Sequence, residues 1–168
     1  MSYTDARPWA EAIKQQVLER RMPPWNAVKG FGEFKDDGGL AQEDLEIIGE
    51  WVTGGLPEGN PLHLPPQPEF QAGQDESHAG EHRILVIGAK TIRQEVEALG
   101  ITPNLVPTAG VMQVIARRSD AQIEPLIWIE QFNPKLNRTY YFREPLRLPR
   151  GTRIEVTPRT GSVALIIK

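Results

Sequence analysis

From His82 to the end of the chain, apolar residues come in short runs with a period of two, each closed by turn residues. The runs lie at 83–88, 111–117, 123–130, 138–143, 152–157 and 162–167. Ser119-Asp120-Ala121-Gln122, Leu148-Pro149-Arg150-Gly151 and Arg159-Thr160-Gly161 read as turns between them. Ile92, Val96 and Leu99 allow either a short helix or an irregular strand over 91–99. A strand of period two has one face to bury, and six or seven of them bury it against each other. The pattern predicts an antiparallel β-sandwich or jelly roll over 82–168.

The first third of the chain has a helical period instead. Pro8 suits a first helical turn, where its missing N–H costs nothing. Trp9, Ile13 and Val17 follow at i, i+4, i+8, with Ala10 and Leu18 widening the stripe, so a helix is predicted over 8–20. Residues 26–39 read as a glycine-punctuated loop whose Phe31 and Phe34 tuck back onto the helices. A second helix is predicted over 41–53, with Leu45, Ile48 and Val52 on its apolar face. Gly54-Gly55 supply its left-handed cap. Trp9 and Trp51 are expected to pair the two helices. A Pro- and Gly-rich linker covers 62–81. The predicted class is therefore α+β: a small helical unit over 1–61, a linker, and a β-sandwich.

The charge supports this division. Residues 1–80 carry 6 Lys and Arg against 14 Asp and Glu, and residues 81–168 carry 13 against 8. The basic arginines are scattered through strand-like segments without a stripe of stacking aromatics, which argues against nucleic acid as a partner. The 168 residues contain no cysteine, which excludes disulfides, thiolate metal sites and a cysteine nucleophile. No apolar run approaches the length of a membrane span, and no basic start leads into an apolar stretch of signal-peptide type.

Between the two predicted helices stands Arg20-Arg21-Met22-Pro23-Pro24-Trp25. A residue before proline avoids the α region, and the two prolines have fixed φ. Met22 is thus held on a stiff support. It reads either as a buried gap-filler at a helix stop or as a soft thioether ligand, a role that a haem iron accepts. His78 and His82 have a metal-binding spacing if both lie on one helix, but Gly80 and the surrounding loop composition argue for solvated histidines. Asp36-Asp37 lie in a loop and read as solvated. There is no hydrolytic triad motif, no Gly-x-Ser-x-Gly and no phosphate-binding glycine loop, so nothing positive in the sequence supports catalysis.

The N-terminal segment Ser2-Tyr3-Thr4-Asp5-Ala6-Arg7-Pro8-Trp9-Ala10, followed by Met22-Pro23-Pro24-Trp25, resembles the second half of a class I cytochrome c domain. Leu40, Asp44, Ile48, Trp51, Val52, Gly54-Gly55, Pro57 and Gly59 continue the match to about residue 61. The resemblance implies a bacterial, periplasmic or other extracytoplasmic protein. It makes Met22 the candidate axial ligand of a haem c. The family attaches haem through Cys-x-x-Cys-His, which this chain lacks, so this chain cannot hold haem covalently by itself. The resemblance therefore leads us to expect an N-terminally shortened form.

In the second half, Ile123-Glu124-Pro125-Leu126-Ile127-Trp128-Ile129, then Tyr140 or Tyr141, Glu144-Pro145-Leu146 and Leu148-Pro149-Arg150-Gly151-Thr152-Arg153-Ile154, resemble the C-terminal β-sandwich of copper type II, ascorbate-dependent monooxygenases. Closer still is the likeness to bacterial proteins that fuse such sandwiches behind a cytochrome c domain. Where that family has a His-x-His copper pair, this chain reads Val106-Pro107-Thr108-Ala109-Gly110. Pro158-Arg159-Thr160-Gly161-Ser162 replaces a second family segment. Met112 and three histidines outside the strands do not make a copper site.

Three functions follow as expectations. The first is a non-catalytic member of a haem c/β-sandwich family, an electron carrier in its intact form, with Met22 the only functional ligand left. The second is a cofactor-free binding or scaffold sandwich for an unidentified protein or carbohydrate, with Trp128, Tyr140 and Tyr141 as its surface aromatics. The third, and weakest, is a copper monooxygenase.

Overall fold

The computed structural model describes residues 2–63, 80–108 and 110–168. Most of the linker expected at 62–81 lies outside those residues. The chain is α+β and divides into two compact units. One holds the segments up to Pro23 and from Leu40 onward, and the other holds Pro24–Gly39 together with the C-terminal half.

The first unit is helical. A one-turn helix α1 (Tyr3–Ala6) starts at Ser2, whose hydroxyl accepts from the Asp5 N–H while the Asp5 carboxylate accepts from the Ser2 N–H at 2.8 Å. A 3-10 turn (Arg7–Trp9) leads into α2 (Ala10–Leu18), and α3 spans Gln42–Thr53. Asp44 reaches back to the Ala41 N–H at 2.8 Å to satisfy the start of α3, and Gly55 takes φ +87° at its end. Contacts between Arg20 and Gln42, Lys14 and Thr53, and the Tyr3 hydroxyl and Leu56 carbonyl align α2 antiparallel to α3.

The stripe on α2 differs from the expected one. Ala10 and Val17 are buried, whereas Trp9 and Leu18 are exposed. Pro8 begins a 3-10 turn, with three residues per turn rather than 3.6, so Trp9 falls out of phase with the helix behind it. Trp51 does not pair with Trp9 to close a core; its indole N–H donates to the Pro57 carbonyl at 3.1 Å.

The second unit is a β-sandwich of eight strands: β1 (His82–Ile87), β2 (Ala89–Thr91), β3 (Val96–Leu105), β4 (Met112–Arg117), β5 (Ile123–Ile129), β6 (Tyr140–Leu148), β7 (Arg153–Thr157) and β8 (Ser162–Ile167). They form two antiparallel sheets, in the orders β1-β8-β3-β6 and β2-β7-β4-β5. Strands pair β4 with β5, β3 with β6, β2 with β7 and β1 with β8. This is one long hairpin rolled into two layers, the jelly-roll arrangement. Inward residues of both sheets, among them Val86, Ile101, Leu165, Val114, Leu126 and Ile154, share one core. Gly88 makes the corner from β1 to β2. It takes φ +62°, and a Cβ there would lie 2.7 Å from the Arg159 carbonyl oxygen.

Residues 24–39 close the other side of the sandwich. They were expected to lie on the helices, but they bridge the outermost strand of each sheet. Ala27 pairs with Ile129 of β5, and the Val28 N–H donates to the Trp128 carbonyl at 2.8 Å. Further along, Phe34 pairs with Phe142 of β6, and the Lys35 N–H donates to the Tyr141 carbonyl at 2.9 Å. Phe34 is buried, stacks on Phe142 at 5.8 Å and lies 5.5 Å from Tyr140. Trp25 meets the Tyr140 ring edge-on at 5.1 Å. The physical reason for the difference is area. Two open sheet edges and an aromatic pocket offer this strap both backbone partners and burial, and the thin helical pair offers neither on this scale.

Phe34→Ala should therefore lower the unfolding free energy of the sandwich by about 3–5 kcal/mol. Urea denaturation followed by tyrosine and tryptophan fluorescence measures the loss. A change below 1 kcal/mol would mean that the strap is not part of the core.

Candidate functional site

Met22 sits just past the end of α2. Arg20 takes the left-handed conformation at φ 55° and stops the helix, with its N–H bonded to the Val17 carbonyl at 2.9 Å. The N–H groups of Arg21 and Met22 both return to the Gln16 carbonyl, at 2.8 and 3.2 Å. The Met22 backbone is thus tied to the last helical turn. Its side chain is 52% exposed. A gap-filling methionine is buried; this residue is half exposed. Beside it, Arg21 and Glu19 form an ion pair on the surface.

Met112 is the counter-example. It is 0% exposed on β4, and its sulfur would stand 3.0 Å from a Cβ placed on Gly161. This methionine fills the sandwich core and presents nothing. His63 ends a 3-10 turn (Pro61–His63), with its N–H bonded to the Asn60 carbonyl at 2.9 Å. His82 opens β1 and is exposed. His78 lies outside the described residues. Among the described residues, no three His, Cys, Asp or Glu side chains converge as a metal site would require.

The aromatics proposed as a sandwich surface separate by strand parity. Tyr140 faces the core and is buried. This corrects the expectation that it is a surface residue: inward positions of β6 alternate from Tyr140 to Phe142. Trp128 and Tyr141 are half-buried on outward faces. Phe31, from the strap, packs edge-on against Trp128 at 5.7 Å, and the Tyr141 hydroxyl donates to Glu81 at 3.4 Å.

Burial pushes the Tyr140 phenol above its ordinary value of 10.0, and this outweighs the opposing pull of the Asn26 backbone hydrogen bond and the Arg138 charge. The Arg138 guanidinium lies 5.3 Å from the Trp25 ring centre, a cation–π contact with no local sequence signal. Leu85 and Ile87 were also missed as surface residues. They point outward from β1 and are exposed. Their signal was legible: Ile84-Leu85-Val86-Ile87 is apolar on both faces instead of alternating.

No family model, curated protein or solved structure matches this chain. The donor chemistry itself can be compared with a haem. A half-exposed methionine on a backbone tied to a helix end is a residue type that would hold a haem iron. The helical unit also leaves Trp9, Leu18 and Ile47 exposed.

Two outcomes follow. Met22→Ala should change the stability by less than about 0.5 kcal/mol, as an exposed side chain does, whereas Met112→Ala should cost about 2–5 kcal/mol. Denaturant titration of both variants checks the contrast. For Tyr140, the unfolded chain releases the phenol proton first as pH rises, so the native state binds more protons. The stability contributed by neutral Tyr140 is complete below pH 10.0 and is lost as pH climbs above it. Tyr140→Phe should flatten that decline in unfolding free energy measured between neutral and strongly alkaline pH.

Proposed function

We propose that this chain is a non-catalytic member of a haem c/β-sandwich family, in which Met22 supplies the thioether on one face of a haem and the haem-bearing form carries electrons. The observation that carries this reading is the exposure of Met22, set against the complete burial of Met112. A half-exposed methionine whose N–H, with that of Arg21 before it, returns to the Gln16 carbonyl of the last helical turn is suited to binding something outside the chain.

The haem, when bound, supplies a one-electron couple. The chain supplies the rest. The Met22 sulfur would supply a lone pair to the iron and, as a soft neutral ligand, would favour its reduced state. Pro23 and Pro24 restrict the backbone that follows, so little backbone freedom would be lost when the sulfur binds. Attachment through Cys-x-x-Cys-His is not provided by these residues, so this chain would take up haem without a covalent bond.

Haem titrated into the protein with imidazole as the second ligand tests the reading. A sharpened Soret band and the weak near-infrared band of methionine ligation are expected, with affinity falling by at least about tenfold in Met22→Ala. A flat titration, or one indifferent to Met22→Ala, would remove the haem from this account.

A further inference from the structure

The edge of the sandwich at β1 is a second place where the molecule exposes more than folding asks of it. Among the described residues, β1 pairs with β8 and with no other strand. Its outward residues are Arg83, Leu85 and Ile87, with Leu85 at 46% and Ile87 at 64% exposure. Opposite them on β8 stand the small Ala164 and Ser162, which leave both side chains uncovered from that direction. An edge strand with alternate exposed apolar residues is a template for another extended segment.

Among the described residues, cations stand on and beside that edge. Arg83 lies on the strand itself. Lys90 of β2 bends back so that its ammonium donates to the Leu85 carbonyl at 3.0 Å. Arg159 lies beside the Gly88 corner, close enough that its carbonyl would meet a Cβ there at 2.7 Å. All three cations are exposed. The acid nearest in sequence is Glu81, which accepts from the Tyr141 hydroxyl on β6. Lys90 already occupies a backbone acceptor of the edge, in the place an incoming N–H would take.

We infer that β1 is a docking edge for an extended acidic peptide segment of a partner protein, added as a further strand beside it. Backbone bonds to the edge give the register. Leu85 and Ile87 receive the partner's alternate apolar side chains. Lys90 leaves the Leu85 carbonyl and pairs with a partner carboxylate, as Arg83 and Arg159 do with others. A second copy of this chain is the poorer occupant, because self-pairing would bring two edges of the same positive sign together. This inference goes beyond the haem reading and does not depend on it.

The test uses the full chain and a short synthetic peptide alternating valine with glutamate, followed by fluorescence anisotropy. Saturable binding is expected, weakening as salt screens the charges. The same pattern built with lysine should not bind. Ile87→Glu should weaken the acidic peptide by at least about tenfold; Ile87 is too exposed for the change to disturb folding. Lys90→Glu gives an independent reading in the same direction. Hydrogen exchange should show the β1 amides gaining protection when the peptide binds. Equal binding of the acidic and lysine peptides would overturn the inference. So would indifference to both variants, or a peptide-free dimer that already protects the β1 amides.

Discussion

Everything in the larger unit depends on closing a rolled hairpin whose two sheets end in unpaired strands. A jelly roll is stable only if its edges find partners or cover, because each open edge carries a row of backbone donors and acceptors. On one side Gly88 turns β1 directly into β2, so one continuous stretch serves both sheets, and Lys90 covers the Leu85 carbonyl on the edge that β1 leaves open. On the other side no strand remains, and residues 24–39 take the place of one. They satisfy the β5 edge through Asn26 and Val28 and the β6 edge through Glu33 and Lys35. Between those two rungs, Phe34 enters the core. Gly32 lets the strap approach closely: at φ +89°, a Cβ would meet the Leu126 carbonyl oxygen at 2.5 Å.

Most of the strands were legible because their physics is local. Period-two burial and turn residues decide β1, β4, β5, β7 and β8 within a few positions. The exceptions are β2, which was not read as a strand, β6, which was read only to residue 143 but runs to Leu148, and above all β3, a central strand flanked by β8 and β6. Ile92, Val96 and Leu99 imitate a helical stripe. Gly100 and Pro103 then break the alternation, and the strand bears register shifts at Ala98/Gly100 and Pro103/Leu105. A bulge moves side chains to the opposite face, so the periodic signal cancels along the very strand that carries the most pairing. Residues 24–39 were misplaced for a different reason. Their apolar residues have no period, and the groups they satisfy are distant in sequence; Asn26 reaches Gln131 across 105 positions. Nothing within the segment encodes that partner.

The same distinction runs through the candidate site. That Met22 lies outside the helix, on a stiff dipeptide, follows from Pro23 and Pro24; that the helix stops as early as Leu18, at the left-handed Arg20, was not written there. Whether its sulfur is buried depends on the neighbouring packing, and that was not written in the segment. Tyr140 and Tyr141 show this most simply. They are adjacent, chemically identical and equally aromatic, yet one lies in the core and the other on the outer face. Only the register of β6 against β3 decides between them. Trp9 fails in the same manner, through a change of helical pitch caused by the residue before it.

The motif around Met22 is thus divided between two tasks. The chain passes from one compact unit to the other between Pro23 and Pro24. On one side of that point Met22 is left half exposed. On the other, Trp25 goes into the sandwich against Tyr140 and Phe34, under the Arg138 guanidinium. The unusual Met-Pro-Pro-Trp sequence therefore cannot be assigned to ligand binding as a whole. Its tryptophan has a sufficient cause in the packing of the strap, and the prolines have one in stiffening the passage between the two units after Arg20 has ended α2. Met22 differs from both: it is half exposed and belongs to no core, so a change there is separable from the packing that its neighbours support.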